Sequence, residues 1–265
     1  MAEPEKPRSP FAGLIDSLAR APAPLRVLSR DEVERLLTAH RLYLETGRRE
    51  GRRADFGSAD LSGRDFSGLL LRRVKMDHAV LRGANFAQAC LQRANLIGAV
   101  LPQARLDGAD LSGARLSGAN LVSASLGSAC LAHADMEFAV MARAGLRGAR
   151  AHAADMSGAI LDAAVLTRAE LREVNLRGGG LRDARLDEAD LRDARLGGAF
   201  LVGASLRGAN LRGAYVRLAK FDGADLGGAD LRDTVGLTRA QLERARCDSG
   251  TKLPDGLIGA ADGKG

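Results

Sequence analysis

Apolar residues recur along most of this chain at every fifth position. From Phe56 to Leu231 the register never breaks, as in Leu106, Leu111, Leu116, Leu121 and Leu126, and it gives 36 apolar centres, 26 of them Leu. Two residues before each centre stands a small residue, Ala in 31 of the 36 units; the exceptions are Arg64, Leu69, Val74, Val174 and Gly179. Neither regular element accommodates this period. Five residues of α-helix turn through about 500°, so successive centres rotate by roughly 140° and never share a face. A straight strand alternates with period two, so an odd repeat throws every second centre to the opposite surface. The chain must instead turn a corner every five residues. Each unit then places the small residue inward, the next residue outward, the centre inward, and two residues in the turn. The second turn residue is Gly in 16 of the 36 units, which fits a corner that tolerates positive φ without demanding it. A short unit repeated in fixed register builds a solenoid whose coils bury their faces on one another.

Units such as Ala109 to Gly113 and Ala209 to Gly213 resemble pentapeptide repeats, and the resemblance runs from residue 54 to about 235. It implies an all-β solenoid, a right-handed quadrilateral β-helix with four pentapeptides per coil and Leu and Ala ladders inside. Thirty-six units then make about nine coils, and at a strand spacing of about 4.8 Å the rod is roughly 43 Å long.

Such a rod exposes an open core and unpaired backbone at both ends, so short α-helical caps are expected there. Ser29 with Glu32 forms a capping box, with Leu28 and Val33 as its hydrophobic staple. Val33, Leu36, Leu37, His40 and Leu44 follow at helical spacing, with Gly47 as a stop. Thr238 with Gln241, and Leu237 with Leu242, repeat the device at the far end. The expected organisation is a flexible leader over 1–27, an N-terminal helical cap over 28–53, the β-helix over 54–235, and a capping helix and tail over 236–265. The leader carries Pro4, Pro7, Pro10, Pro22 and Pro24, and within it Phe11, Leu14, Ile15 and Leu18 share a helical spacing that would suit docking, though a loosely ordered tail is the plainer reading.

Only 3% of the residues are aromatic and none is Trp, so the interior must be narrow and lined by small aliphatic side chains. No stretch approaches the roughly 18 apolar residues of a membrane span, and the start of the chain lacks the apolar block of a signal peptide; a cytoplasmic location is expected. Cys90, Cys130 and Cys247 show no CxxC spacing, which argues against a disulfide framework or a zinc site. No nucleophile elbow, phosphate loop or HExxH motif occurs, so no enzyme activity and no cofactor are expected. A 20-residue coil brings Cys130, His133 and His152 near one another, yet on a solvated face without an evident fourth ligand.

The charge pattern bears on the best-known activity of the family that the chain resembles, imitation of duplex DNA by an acidic rod that binds type II topoisomerases. Residues 54–235 hold 23 Lys and Arg against 21 Asp and Glu, and the whole chain carries +6. That balance does not imitate a phosphate ladder, and DNA mimicry stays the alternative. Arg172, Arg192, Arg212 and Arg232 stand in a column, but Glu170, Glu173, Asp190, Asp193, Asp230 and Asp233 flank it. With almost no rings for base stacking, a self-neutralised ladder is expected, not a nucleic-acid site. Asp183, Asp187 and Glu188 interleave with Arg182, Arg185 and Arg195 in the same manner.

One face departs from polarity. Its outward positions carry Val80, Val100, Val140, Ile160 and Phe200, with Val122 and Val202 on the same side, interrupted by Asn120 and Gly180. Exposed, this column would be a partner face; alternatively, β-branched residues simply suit a strand ladder. The reading that follows is a non-enzymatic scaffold presenting flat faces to an unidentified protein partner or to a copy of itself.

Overall fold

A computed structural model describes residues 25–257. Between 54 and 235 the chain winds into nine stacked coils of 20 residues, a right-handed quadrilateral β-helix. The backbone at each outward position bridges, in parallel, the residue 20 places on, as in Arg115 with Asp135 and Asp135 with Asp155. Each pentapeptide repeats one set of hydrogen bonds. Leu116 N–H donates to the Asp135 carbonyl at 2.6 Å, Gly118 N–H to Glu137 at 2.8 Å, and Asp135 N–H to Ala114 at 2.9 Å. Across the corner, Ala119 N–H donates to the Leu116 carbonyl at 2.9 Å. Axial bonds hold coil to coil while the corner bond shapes the turn, so the backbone is satisfied by neighbours alone.

All 36 centres are at most 1% exposed. The exceptions in the Ala column have local causes. Arg64 lies in the first coil, where a cap and not another coil is its neighbour, and its guanidinium donates to the Leu28 carbonyl at 3.2 Å. Leu69, on the same open end, is 37% exposed. The rings concentrate at this end: Phe66 stacks on Phe86 with centroids 4.9 Å apart and meets Phe56 at 6.3 Å.

The corners correct one expectation. Positive φ is adopted at the second turn residue of every unit, not only at the 16 glycines. The other 20 include Ala153 (φ 52°), His133 (57°) and Leu218 (63°). The left-handed conformation costs a residue with a Cβ about 1–2 kcal/mol, and the axial bonds on both sides of each corner impose it regardless.

Both ends are closed. At the first, β1 (Arg26–Val27) pairs in parallel with β2 (Ala59–Asp60), adding a partial rung above the first coil. Residues assigned to the leader from sequence thus belong partly to the rod. Helix α1 (Arg30–Glu45) follows, starting at the Ser29–Glu32 capping box and ending on Thr46. Its Val33 is buried, and Leu28, Leu36 and Leu37 pack on the core. His40 is 1% exposed, and its Nδ1 accepts a hydrogen bond from Ala54 N–H, the first residue of the ladder, at 3.1 Å. At the far end, helix α2 (Arg239–Glu243) starts at the Thr238–Gln241 capping box. Gln241 Nε2 donates to the carbonyls of Val216, which also accepts the corner bond from Ala219 N–H, and of Ala219, at 3.0 and 2.9 Å. The tail then rejoins the ladder, Arg246 bridging Asp225 and Lys252 bridging Asp230.

Two outcomes follow. Leu116→Asp should cost more than about 4 kcal/mol, because an unpaired carboxylate enters a dry ladder, whereas Ser117→Asp should leave the melting temperature nearly unchanged; equal melting temperatures would reverse the inward and outward assignment. Burial lowers the His40 pKa from its ordinary 6.5, the Arg72 carbonyl opposing and the Arg53 charge adding to the shift. Below pH 6.5 the unfolded chain therefore takes up a proton that the folded cap resists, so stability is complete above that pH and falls as pH drops towards the lowered folded value. Thermal unfolding should weaken between pH 7 and pH 5, a range above the ordinary 3.8 of aspartate, and His40→Gln should flatten the dependence. An unchanged slope in His40→Gln would mean that the cap does not hold the neutral imidazole.

Candidate functional site

The outward ladders show what each face can offer. Where the outward residue is Asp or Asn, its side chain folds back on the following corner. Asp60 accepts from Ser62 N–H at 3.0 Å, Asp155 from Ser157 N–H at 2.9 Å and Asn120 from Val122 N–H at 3.1 Å. These local turns stabilise the corner itself. The Ser62 hydroxyl and amide hold the Asp60 carboxyl below its usual range, and Arg192 does the same for Asp190.

Arginines on the same faces are matched locally. Arg192 pairs with Asp190 at 2.5 Å, Arg212 with Asp233 at 2.8 Å and Arg232 with Asp230 at 2.6 Å. Arg168 and Glu188 pair across coils at 2.7 Å, and Arg185 lies 3.7 Å from Asp187. Three of the four arginines of the column, Arg192, Arg212 and Arg232, are therefore neutralised in place. These partners are solvent-exposed to differing degrees, and pairs of this kind contribute little stability, about 0–1 kcal/mol each. The rings of His133 and His152 meet edge to face at 5.6 Å, while Cys130 Sγ turns to Ser112 Oγ at 3.1 Å. No group of three metal-ligating side chains comes together among the described residues.

The apolar column differs from the expected exposed patch. Val80, Val100, Val140 and Ile160 are buried, at 3, 4, 0 and 1% exposure, while Phe200, Val122 and Val202 are half-buried. Asn120 and Gly180 are buried as well, so the interruptions seen in sequence do not break the column. Stacking is part of the reason, since each side chain has neighbours about 4.8 Å above and below. It is not the whole reason. Val165 occupies the same ladder position on another face, bridged by Gly145 and Arg185, and remains half-exposed. Of the 36 outward positions only the six from Val80 to Gly180 are buried, all in this one column. Beside it, Ala142 is 6% exposed, and Asp162 Oδ2 and Arg182 Nε are shut off from water without a hydrogen-bond partner. The Arg182 guanidinium lies over the Phe200 ring, 5.6 Å from its centroid. Outward direction and burial are separate properties, and sequence periodicity reports only the first.

A family model for pentapeptide repeats matches eight copies, spanning residues 52–235 in overlapping segments. This chain is a pentapeptide repeat protein. Solved structures of the family resemble it. HetL, a pentapeptide repeat protein involved in heterocyst differentiation regulation from the cyanobacterium Nostoc sp. strain PCC 7120, is 28% identical over 86% of this chain and 94% of its own, with a TM-score of 0.47. QnrB1, a plasmid-mediated fluoroquinolone resistance protein, is 20% identical over 76% of this chain and 94% of its own, with a TM-score of 0.33. Rfr23 from the cyanobacterium Cyanothece 51142 is 26% identical over 43% of this chain and 63% of its own, with a TM-score of 0.29. Among curated protein sequences none matches. No helix among the described residues is long and apolar enough to cross a membrane.

The burial of the column has a measurable consequence. Ile160→Lys should destabilise the protein by about 1–3 kcal/mol, because the charge must leave an apolar, water-poor site. Val165→Lys, at the equivalent ladder position elsewhere, should change the melting temperature little. Equal effects would show that the two positions share one environment.

Proposed function

We propose that this pentapeptide repeat protein is a non-enzymatic interaction rod that presents flat β-helix faces to a protein partner or to a second copy of itself. The observation that carries the reading is the filled interior. Every centre from Phe56 to Leu231 is buried against its neighbours above and below, so substrate chemistry would have only the outer walls to work on, and pockets for small molecules are ordinarily concave and enclosed. On those walls one half-open hollow lies between α1 and the first coils, lined by Leu37, Thr38, Leu69 and Leu70. Rigid, regular walls suit recognition of an extended surface.

The face that best suits a protein partner is the one bearing Val80, Val100, Val122, Val140, Ile160, Phe200 and Val202. At its corner Phe138 is 60% exposed, with its ring over Gly158. With Val80, Val100, Val140 and Ile160 buried, what this face offers is the exposed Phe138 ring beside the half-buried Val122, Phe200 and Val202, and exposed aromatic and apolar side chains of this kind are enriched at interfaces. Across the rod as a whole 23 Lys and Arg stand against 21 Asp and Glu, and that balance leaves little net field to steer an anionic or cationic ligand.

The near-neutral coil also predicts a negative result with type II topoisomerases. In a DNA supercoiling assay with gyrase, the protein should neither inhibit nor protect the enzyme at concentrations where acidic rods act, since a site built for duplex DNA gains nothing from a wall of balanced charge. Potent, salt-sensitive modulation of supercoiling would overturn the interaction-rod reading in favour of DNA mimicry.

A further inference from the structure

We infer that the hollow between the end of α1 and the corner of the first two coils binds a phosphorylated side chain of a partner protein, through Arg48, Arg72, Arg73 and Arg93. These four arginines line one half-open hollow together with Leu44, Gly47, Gln92 and Ser112, and no carboxylate is among its lining residues. Three other hollows on the described surface are lined by both signs: Asp65 with Arg41 in one, Asp187 with Arg207 in the second, Asp222 with Arg246 in the third. The corner itself shows the same contrast. Lower down, Arg192, Arg212 and Arg232 are paired with acids, and Arg172, which makes no ion pair among the described residues, has Glu170 and Glu173 beside it in the chain. At the head of the corner the guanidinium groups of Arg48, Arg73 and Arg93 have no hydrogen-bond or ion-pair partner among the described residues.

The acids nearby do not supply the missing charge. Asp110 accepts from the Ser112 amide and hydroxyl and from Gln92 Nε2, while Gln92 Oε1 accepts from Arg72 Nε at 2.6 Å. This relay fixes Arg72 and Gln92 and leaves the outer nitrogens of Arg72 for a ligand. Glu45 lies 3.8 Å from Arg41, and Glu50 is exposed and does not line the hollow. Arg49, Arg52 and Arg53 follow in the same loop and add to the positive field. Local structure positions the cluster. The Arg48 N–H donates to the Tyr43 carbonyl at 2.8 Å, which holds the loop against the end of α1. Arg73 and Arg93 occupy successive corners about 4.8 Å apart, and Gly113 leaves room beneath the Arg93 side chain, whose Cγ would lie 3.6 Å from a Cβ there.

The class of ligand follows from number and shape. A single carboxylate is saturated by one bidentate guanidinium, whereas a phosphate monoester carries nearly two charges and three acceptor oxygens, enough to engage several. A nucleic-acid strand presents a charge about every 3.4 Å over many steps, but below Arg93 the corner continues as Ser112, Gly113, Ala132 and His133, and no aromatic side chain lines the hollow for bases to stack on. The hollow is half-open, which suits a group carried on a protein chain, and Leu44 offers an apolar contact to the residue beside it. The inference rests on the interaction-rod reading in one respect, that a protein carries the phosphoryl group.

Fluorescence anisotropy on the full-length protein tests it, with a short labelled peptide bearing one phosphoserine next to a leucine, and the same peptide with Ser or Glu in its place. The phosphopeptide should bind, and both other peptides should bind at least about tenfold more weakly. Arg73→Gln with Arg93→Gln should weaken phosphopeptide binding at least about tenfold at an unchanged melting temperature, since charge-assisted hydrogen bonds are lost. Arg143→Gln with Arg147→Gln, which removes two exposed charges elsewhere, should change it less than about twofold. Absence of phosphopeptide binding, a Glu peptide that binds equally well, or equal losses from the two pairs of substitutions would overturn the inference. Inorganic phosphate binding as tightly as the phosphopeptide would replace the partner with a free anion, and a single-stranded oligonucleotide binding more tightly, with loss in the same variants, would make the hollow a nucleic-acid site; either overturns it too. Modulation of supercoiling is a separate measurement, so the rod reading and the phosphate site fail independently.

Discussion

The axial hydrogen-bond register is the constraint on which the rest of this molecule depends. Each outward residue must bridge the residue 20 places on, and only a coil of four equal sides does so while keeping every centre pointed at the axis. The narrow interior then follows. With coils about 4.8 Å apart, one Leu and one Ala per side fill the channel, and burial of each Leu contributes about 1.5–3 kcal/mol before ordering entropy is subtracted. The scarcity of rings is part of the same solution, since Phe appears mainly near the ends, where a helix and not another coil completes the packing.

The same register overrides local preference. Twenty corners hold residues other than Gly in the left-handed region, a conformation that single residues avoid and that a tightly bonded frame enforces. Strain at a corner is tolerated because the two axial bonds flanking it are made in any case, and an alternative turn would break both. At the ends, where the register has no further coil to bond, side chains from elsewhere take over: His40 for the first ladder residue, Gln241 for the Ala219 carbonyl.

Much of this was legible before any coordinates. A five-residue period excludes both regular elements by geometry alone, and the two capping boxes mark both helix starts because their residue types have one dominant use. The charge ladders were legible too, since Arg192, Arg212 and Arg232 each had an acid within reach along or across the coil. Three features were not. Positive φ at Ala153 or Leu218 leaves no trace in composition, being imposed by neighbours that are distant in sequence. The rung formed by Arg26–Val27 looked like leader, since two residues carry no periodicity. The burial of Val140 and Ile160 was hidden because alternation tells which way a side chain points and says nothing of what lies beyond it.

An uninterrupted register also makes angular position a conserved quantity along the rod. Removing one pentapeptide would leave every downstream unit chemically intact and still able to bury its Leu, yet rotate all of it by a quarter turn relative to β1. Val80 and Val100 would stay where the chain enters, while Ile160 and Phe200 would move to an adjacent wall, and a continuous apolar stripe would become two short ones at right angles. Insertion or loss of a whole coil would keep the stripe straight and change only its length. Such a rod can therefore be lengthened or shortened in steps of 20 residues without losing its faces, whereas steps of five exchange them.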